Sequence, residues 1–557
     1  MRQERVRMGV LACGMVASVL ISWQAAGASG PAQARQWRVF ELTFRAGNRH
    51  EGPARGVRLS ATFAGPGGLR YAVGGFWDGE ETWRVRFVPT QPGEWTYRTS
   101  CSDTLDAGLH DRRGRFDVAG AAGANPLYAH GGFLKVSRNA RYLTYSDGEP
   151  FFWLGDTWWF CPSDLVPIDR SNRPDVPSMY RHLIDTRKDQ GFSVVHMAFL
   201  GGRWTDLAEG RVDLDYWRKV DRYFAYANDA GIVPVFGLGF HQGLNALTLD
   251  QLKRIWEYVL ARLGAYGCTF LICGEYNQAG AKDADGKTVF GPQDAQRVAK
   301  LLALGAFIKQ TDPYRRAMTV HPWWYAGEKR QAWSESWYDF ILLQGGHGKD
   351  GPAPGVYLDV YRRRPAKPLL EGECTYEGIH GFDASVVRHN AYKAIQCGSF
   401  GFTYGSHGLW YPNQDANDLK FSNWGRPVPW WVAMKRPGAA QMKHLRACYE
   451  SVRWWRLEPR PDAIRADRSQ PAPSGILAKA DGDEVYVLYY SANRPADAKA
   501  RLLARQGAGP FSATWFDPRS GQATALPGTI APDREGLVLP TPPDREDWVL
   551  ILRRRPS

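Results

Sequence analysis

Eight short apolar segments alternate with helical segments between residues 127 and 455, and this alternation constrains the fold more than any other feature of the chain. The apolar segments lie at residues 151–154, 194–199, 232–236, 269–273, 317–320, 340–343, 368–370 and 400–404. Helical patterns separate them, for example at 216–230, 249–266, 293–310 and 384–397. Apolar strands that alternate with amphipathic helices are typical of a parallel sheet covered by helices. Eight such strands, with no glycine-rich dinucleotide motif after the first, predict an α/β fold of the (β/α)8, or TIM, barrel type rather than an open doubly wound sheet.

The two regions that flank this segment show the alternation of β-strands instead. Alternating runs separated by proline and glycine occur in residues 35–122 and again in residues 460–557, at 37–44, 57–63, 82–87, 484–490, 512–516 and 548–552. Short alternating strands at regular spacing predict a β-sandwich. We therefore expect a barrel flanked by an N-terminal and a C-terminal β-sandwich domain, with a linker at 119–126.

The first 34 residues predict export. Three arginines precede an apolar stretch at 9–23, and small residues follow through Ala28 and Ala34. A basic start, a short apolar stretch and an A-x-A-like end are typical of a cleavable secretory signal, and the stretch is too short to span a bilayer comfortably. We expect cleavage after Ala28 or Ala34, a secreted or periplasmic mature protein, and no membrane span.

The charge of the chain limits its possible binding partners, and its cysteines limit its possible disulfide bonds. The formal net charge is +13, but the basic residues are dispersed and form no basic helix or aromatic-basic RNA motif, so we expect no nucleic-acid partner. A polyanionic polysaccharide or an anionic cell envelope is a more natural partner for an exported basic protein, and a role of the charge in solubility alone stays open. Once Cys13 leaves with the signal, seven scattered cysteines remain, which excludes a disulfide framework but leaves one or two bridges open.

Polar and aromatic residues crowd the predicted carboxyl ends of the barrel strands, where barrel active sites are built. From the first strand to the eighth they are Asp156, Trp158, His241, Glu275, Asn277, His321, Trp324, His347, Glu373, Tyr376, Tyr404, His407 and Trp410. A purely structural barrel would not require such groups at nearly every strand end.

Two of these residues can form a catalytic carboxylate pair. Cleavage of a glycosidic bond needs one carboxyl group to protonate the leaving oxygen and another to attack the sugar or activate water. Glu275 follows strand four and Glu373 ends strand seven, so the two can face each other across a sugar. Glu371 precedes Glu373 by two residues on the same predicted face and competes for the role, but Glu373 reaches further toward the barrel mouth. Glu377 lies further into the loop, and we expect it to be solvated.

Other chemistries receive less support. The strand-end histidines lack the spacing of an HExxH site, and no G-x-S-x-G motif is present, so we expect no metal, no cofactor and no serine nucleophile. Each histidine can also orient a loop. Two alternatives remain: a metal-dependent barrel hydrolase, and a non-catalytic carbohydrate-binding or adhesion protein with a decayed barrel.

Three motifs resemble the apiosidase-like glycoside hydrolase family. They lie at residues 142–158, which include Leu-Gly-Asp-Thr-Trp, at 369–377 and at 402–407. Residues 37–118 look like the β-sandwich that often precedes such barrels, and the tail resembles a putative collagen-binding module. The resemblance implies retaining hydrolysis, with an acid/base after strand four and a nucleophile after strand seven. The family commonly has Asp where this chain has Glu275, and this departure leaves open whether apiose, the sugar of the family name, is its substrate.

These observations combine into one hypothesis: hydrolysis of a plant or microbial polysaccharide. Glu275, with a pKa raised by a partly dry pocket, protonates the leaving oxygen, and ionised Glu373 attacks the anomeric carbon. We expect stacking on sugar rings by Trp158, Trp324 and Trp410, and hydrogen bonds to hydroxyls from Asp156, Asn277 and His321. His241, His347, Tyr376, Tyr404 and His407 complete the predicted substrate-binding set.

Overall fold

A computed structural model describes residues 23–24, 32–199, 204–283, 285–323, 332–466, 475–495, 500–503 and 509–555. The chain forms a mixed α/β structure in which a barrel-like sheet of eight parallel strands lies between further sheets. Most of the predicted signal segment, residues 1–22 and 25–31, lies outside the described residues. Within the described part of the chain, no helix combines the length and apolarity that a membrane-spanning segment needs.

The N-terminal region is a sheet of eight strands. They are Trp23–Gln24, Ala32–Arg35, Phe40–Arg45, Leu59–Ala64, Arg70–Trp77, Thr82–Phe87, Gly93–Cys101 and Arg113–Ala119, with short helices at Pro53–Gly56 and Pro66–Gly68. The long strand Arg70–Trp77 pairs with Leu59–Ala64 along its first half and with Thr82–Phe87 along its second. Alternate residues point inward, and the rings of Phe63 and Phe87 stack at 4.0 Å in the core.

The barrel strands form the centre of the molecule. In chain order they are Trp153–Thr157, Val194–Met197, Val233–Phe236, Thr269–Gly274, Met318–His321, Ile341–Gln344, Leu369–Glu373 and Ser399–Tyr404. Each hydrogen-bonded pair among them is parallel. Strands five and six stand at the two ends of the strand order and meet through the Asp339 amide, which donates to the Met318 carbonyl at 3.0 Å. The predicted strands are present, each within a few residues of its expected position.

Helices cover the barrel. They are Met179–Asp189, Trp204–Ala208, Leu214–Asp229, His241–Ala246, Leu249–Leu263, Pro292–Thr311, Pro354–Arg362, Ala384–Gln396, Trp430–Ala433 and Pro437–Glu450. Their starts follow the capping preferences of the sequence: Ser178, Asp213, Thr248 and Asp383 each accept a hydrogen bond from a first-turn amide. Minor elements are the helices Pro126–Ala129, Ile379–Gly381, Ser422–Trp424 and Trp454–Arg456, and the strands Lys135–Val136, Leu143–Thr144, Pro150–Phe151, Ala281–Lys282 and Thr288–Val289.

The C-terminal region forms two further sheets. Their strands are Glu458–Pro459, Ile464–Ala466, Ile476–Asp481, Val485–Tyr490, Ala500–Leu502, Phe511–Phe516, Ala523–Ala525, Leu537–Val538 and Trp548–Arg554, with a short helix at Pro461–Ala463. Buried ion pairs tie both flanking regions to the barrel. Arg86 binds Asp221 through two hydrogen bonds of 2.7 and 2.8 Å, and Arg388 binds Asp547 at 2.7 and 2.6 Å.

Candidate active site

A β-bulge in the seventh strand aims Glu373 into the barrel. Leu343 pairs with Glu371 and the next residue, Gln344, pairs with Glu373, so Gly372 is the extra residue of the seventh strand. A Cβ on Gly372 would lie 2.3 Å from the Leu342 side chain, which leaves room only for glycine. Because a bulge interrupts the alternation of side chains, Glu373 faces the interior, whereas Glu371 faces the helices. The two glutamates therefore do not share a face, contrary to the simple alternation that the sequence suggested.

Glu373 is buried and surrounded by hydrogen-bond partners. One carboxylate oxygen lies 2.7 Å from Nε2 of His321, and the other lies 3.1 Å from Nε2 of His347. The Tyr376 hydroxyl also contacts this carboxylate. Burial alone would raise the pKa of Glu373, but the charge and hydrogen bond of His321, together with those of His347, outweigh burial and hold the pKa well below its usual range. Glu373 is thus kept ionised.

Glu275 has the opposite environment. It lies one residue beyond strand four, is partly exposed, and its backbone is in the left-handed region with φ of 47°. Among the residues that the structure describes, the Gln344 side chain donates a hydrogen bond of 3.1 Å to its carboxylate. Burial, and next the negative charge of Glu373, raise the pKa of Glu275 above its usual value. A left-handed glutamate costs about 1–3 kcal/mol and persists only where its neighbours enforce it, as happens at many active sites.

An Arg–Asp pair enforces the backbone of this loop. Arg297 donates to the carbonyl of Tyr276 at 2.7 Å and also to that of Gln278. The same guanidinium pairs with Asp294 at 2.9 Å, and Asp294 in turn accepts the amide of Gly280 at 3.1 Å. Both charged side chains are buried in helix Pro292–Thr311. The pair therefore clamps the segment that follows Glu275 from one side.

Glu371 supports the backbone around Glu373, as the Arg297–Asp294 pair supports the backbone after Glu275. It is fully buried and accepts hydrogen bonds from the Tyr357 hydroxyl at 2.6 Å, the Gly345 amide at 3.1 Å and the Glu373 amide at 3.3 Å. Burial raises the pKa of Glu371 to about 7. Its contacts hold the bulge and the start of the loop that carries His347, and it does not reach the space between Glu275 and Glu373.

Aromatic rings wall the site. Trp159 donates from its indole nitrogen to the Tyr376 hydroxyl at 3.2 Å, and its ring lies edge-on to those of His321 and Phe240 at 5.4 and 5.6 Å. Trp410 lies beside Tyr376, with ring centres 6.3 Å apart, and its buried indole nitrogen has no hydrogen-bond partner among the described residues.

Three other predicted residues lie at or near the site. Asn277 is buried and accepts the Trp323 amide at 2.7 Å, so it ties the Glu275 loop to the end of strand five. His407 binds the Gly425 carbonyl through Nε2 at 2.8 Å and holds a loop. His241 begins the short helix after strand three, where burial and then Arg297 lower its pKa. Trp324 lies outside the described residues.

Asp156, Trp158 and Tyr404, which we expected to bind sugar, lie elsewhere. Asp156 is 0% exposed and pairs with Arg187 at 2.6 Å, and the Trp158 indole donates to the same carboxylate at 2.8 Å. The Tyr404 ring packs near Arg187, and its hydroxyl donates to Glu377 at 2.6 Å. All three belong to one buried polar cluster between the barrel and its helices, so their polar groups are already satisfied. Glu377 is itself 2% exposed in place of the solvated position that the sequence suggested.

Three further residues contact the candidate site and were not predicted from the sequence: Gln344, Trp159 and Arg297. Gln344 and Trp159 lie in strand-end segments next to residues that we predicted to be in the site, so their positions in the sequence could have identified them. Arg297 lies in the middle of a helix, and nothing in the local sequence indicates that it reaches the Glu275 loop. Among the described residues, the one cluster of three potential metal ligands, His50, Asp103 and Asp106, lies in the N-terminal region, and its closest contact, 2.8 Å between His50 and Asp106, is a hydrogen bond.

Family models match each of the three regions of the chain. A family model described as apiosidase-like, catalytic domain, matches residues 137–456. Models for a domain of unknown function and for a putative collagen-binding domain of a collagenase match residues 33–102 and 459–553. No curated protein matches the chain.

Two solved structures share the fold. A putative glycoside hydrolase from Bacteroides vulgatus is 19% identical with a TM-score of 0.67, over 94% of this chain and 99% of that one. A glycoside hydrolase family 5 protein from the same organism is 20% identical with a TM-score of 0.59, over 76% of this chain and 94% of that one.

Proposed function

Because the chain belongs to the apiosidase-like family of glycoside hydrolases, we propose that it cleaves a plant or microbial polysaccharide with retention of configuration. Glu373 is the nucleophile and Glu275 the acid/base. The observation that carries this proposal is the contrast between the two carboxyl groups. Glu373 is kept ionised by two histidines, whereas Glu275 has a raised pKa and, among the described residues, one amide donor. Two carboxyl groups whose pKa values are driven apart are suited to opposite roles.

The reaction proceeds in two balanced steps. In the first, the Glu275 proton moves to the glycosidic oxygen, the bond between that oxygen and the anomeric carbon breaks, and Glu373 forms an ester bond to the same carbon. The leaving group departs as an alcohol. In the second, the Glu275 carboxylate takes a proton from water, the water oxygen attacks the anomeric carbon, and the ester bond to Glu373 breaks. Two inversions leave the configuration retained.

The residues around the pair support these steps. His321 and His347 lower the basicity of Glu373, which keeps it ionised and makes it a better leaving group in the second step. Trp159 and Tyr376 form a wall next to the nucleophile, and Trp410 lies beside Tyr376. The aromatic walls suit the apolar faces of a sugar ring.

Export is part of the proposal, and the N-terminal sheet favours one cleavage site. Strand Ala32–Arg35 pairs with Arg113–Ala119. Cleavage after Ala28 keeps this strand and removes the two-residue strand Trp23–Gln24, whereas cleavage after Ala34 removes that strand and most of Ala32–Arg35 as well. We therefore propose cleavage after Ala28, which N-terminal sequencing of the exported protein tests. We also interpret the two flanking β regions as β-sandwich domains.

The experiment that tests the function is a screen of the purified protein against pectic and other plant or microbial polysaccharides, with product analysis. Wild-type protein should release reducing ends, and Glu373→Gln should not, while it still binds the polysaccharide. Binding by both proteins with turnover by neither would favour the alternative of a non-catalytic carbohydrate-binding protein. Loss of turnover after exhaustive chelation would favour a metal-dependent hydrolase.

A further inference from the structure

The two histidines that contact Glu373 are held in different ways. His321 belongs to the fifth barrel strand and is fully buried, and the ring of Trp159 lies 5.4 Å from its own. His347 belongs to the loop after the sixth strand, its side chain is 14% exposed, and the three residues that follow it are exposed. The barrel itself therefore fixes the ring of His321, whereas the ring of His347 depends on contacts from other loops.

His347 makes two hydrogen bonds that depend on the orientation of its ring. Nδ1 lies 3.1 Å from the carbonyl oxygen of Cys374, and Nε2 lies 3.1 Å from the Glu373 carboxylate. Both partners are acceptors, so the two bonds form together only when each ring nitrogen carries a proton. A ring that turns into solvent loses both bonds, and its charge then acts on Glu373 through water, which weakens the interaction.

The loop after the eighth strand supplies one contact to this ring. The short helix Ser422–Trp424 brings the Trp424 ring edge-on to His347, with ring centres 5.1 Å apart and planes at 86°. Tyr376, from the loop after the seventh strand, contacts the same imidazole with ring centres 4.6 Å apart. Perpendicular contacts between aromatic rings are favourable, and an indole also attracts a cation. Two neighbouring loops thus hold the ring of His347.

The segment that carries Trp424 is itself anchored on both sides. The backbone of Phe421 is in the left-handed region with φ of 64°, and its ring packs on that of Trp410 at 4.6 Å. One residue after Trp424, the Gly425 carbonyl accepts a hydrogen bond of 2.8 Å from Nε2 of His407. A left-handed backbone at a bulky residue is strained and persists only where its surroundings enforce it. These contacts therefore fix the position of the indole.

We propose that Trp424 is a positioning residue that holds the ring of His347 against Glu373. Its effect on the nucleophile passes through His347, because a held imidazole keeps both of its hydrogen bonds. The catalytic consequence rests on the proposed function, since it depends on Glu373 being the nucleophile, whereas the contact between the two rings does not. The assignment gives the loop after the eighth strand a part in the first step of the reaction, in which Glu373 must be ionised.

Proton NMR of protein that contains isotope-labelled histidine tests the contact without any substrate. An N–H group that is held against a carboxylate and shielded from water exchanges slowly and gives a downfield signal. The His347→Phe variant identifies the His347 signal, and the His321 signal in the same spectrum is the internal reference. We expect the His347 signal in wild type and in Trp424→Phe, which keeps an aromatic ring in place. In Trp424→Ala the signal should be lost through exchange with water.

Trp455→Ala is the matched control. Trp455 is also a partly exposed tryptophan in a three-residue helix, Trp454–Arg456. It lies at the other end of the barrel, where Trp454 packs on Phe152, the residue before the first strand. This variant should keep the His347 signal and the activity of wild type.

Kinetics test the consequence for the reaction. A loosened His347 no longer lowers the pKa of Glu373, so Trp424→Ala should move the acidic limb of kcat/KM to higher pH, as His347→Phe does. In the double variant the second substitution should add no further shift, because it acts through the same residue. Trp424→Phe should recover most of the wild-type profile.

Absence of the His347 signal from wild type, its persistence in Trp424→Ala, or its loss in Trp455→Ala would overturn the proposal. Shifts that add in the double variant would overturn it too. A rise in KM for Trp424→Ala with an unchanged pH profile would instead assign Trp424 to substrate binding. If wild type hydrolyses no glycoside or polysaccharide, the proposed function fails, and the NMR result alone decides whether Trp424 holds His347.

Discussion

Glu373 and Glu275, the two carboxyl groups of the candidate site, have pKa values shifted in opposite directions and are held by different kinds of contact. Glu373 stands on a strand, in a bulge, with both carboxylate oxygens bonded to histidines and a tyrosine beside them. Glu275 stands in a loop, in a left-handed backbone conformation, with one amide donor. Glu373 is stabilised through its side chain, whereas Glu275 is held through the backbone around it. The comparison teaches that burial raises the pKa of both carboxyl groups, and that the charges and hydrogen bonds around each group decide whether its pKa ends below or above the usual value.

The largest effect should come from removing the nucleophile. Glu373→Gln keeps the shape of the side chain but cannot form a glycosyl ester, so we expect kcat/KM to fall by about 10⁴-fold or more. Steady-state kinetics on any hydrolysed polysaccharide measure the loss. Glu257→Gln, an exposed glutamate on helix Leu249–Leu263, is the control and should retain full activity. Comparable activity in Glu373→Gln would remove Glu373 from the mechanism.

Replacement of Glu275, the proposed acid/base, should lower activity less than replacement of Glu373. General acid–base catalysis contributes about 10²–10⁴-fold, so Glu275→Gln should lower kcat by that range. The loss should be greatest for substrates with poor leaving groups, because activated leaving groups need little protonation. A series of glycosides with leaving groups of graded acidity measures this dependence. An equal loss across the series would contradict the acid role of Glu275.

The sequence predicted the fold more fully than it predicted the site. Periodicity located the barrel strands because each one is buried on both sides. It did not separate Glu371 from Glu373 by face, because the bulge at Gly372 breaks the alternation on which that reasoning depends. Asp156 and Trp158 were placed in the substrate site because they follow a strand, but Arg187, about 30 residues away, draws both into a buried cluster. Such long-range partners leave no local signal in one sequence.

Removal of the Arg297 side chain, which clamps the loop after Glu275, should have an intermediate effect on activity. In Arg297→Met the carbonyls of Tyr276 and Gln278 lose their donor, so the left-handed backbone at Glu275 loses its support. A misplacement of about 1 Å can cost about 10²-fold in rate, and we expect kcat to fall by about 10–100-fold with little change in KM. Arg297→Lys should recover part of this loss. If the loss of kcat were accompanied by a loss of thermal stability, and Arg297→Lys restored neither, the role of Arg297 would be purely structural.

Replacement of His347 should have the smallest effect of the four, but a specific one: a change in the pH dependence of kcat/KM. The proposed mechanism requires ionised Glu373 and protonated Glu275, so kcat/KM should fall at low pH as Glu373 gains its proton and at high pH as Glu275 loses its own. Since His347 lowers the pKa of both groups and bonds directly to Glu373, His347→Phe should raise both pKa values. The acidic limb should therefore move to higher pH by more than the basic limb. Unchanged limbs in a folded variant would contradict the role of His347.

The most direct test of the carboxylate assignment is mass spectrometry of the Glu275→Gln variant after reaction with a glycoside that has an activated leaving group. Without its acid/base the variant should form the glycosyl-enzyme and hydrolyse it slowly, so the peptide that contains Glu373 should carry the mass of one glycosyl unit on that residue. A label on Glu371 or on another residue, or products of inverted configuration with no covalent adduct, would contradict the account.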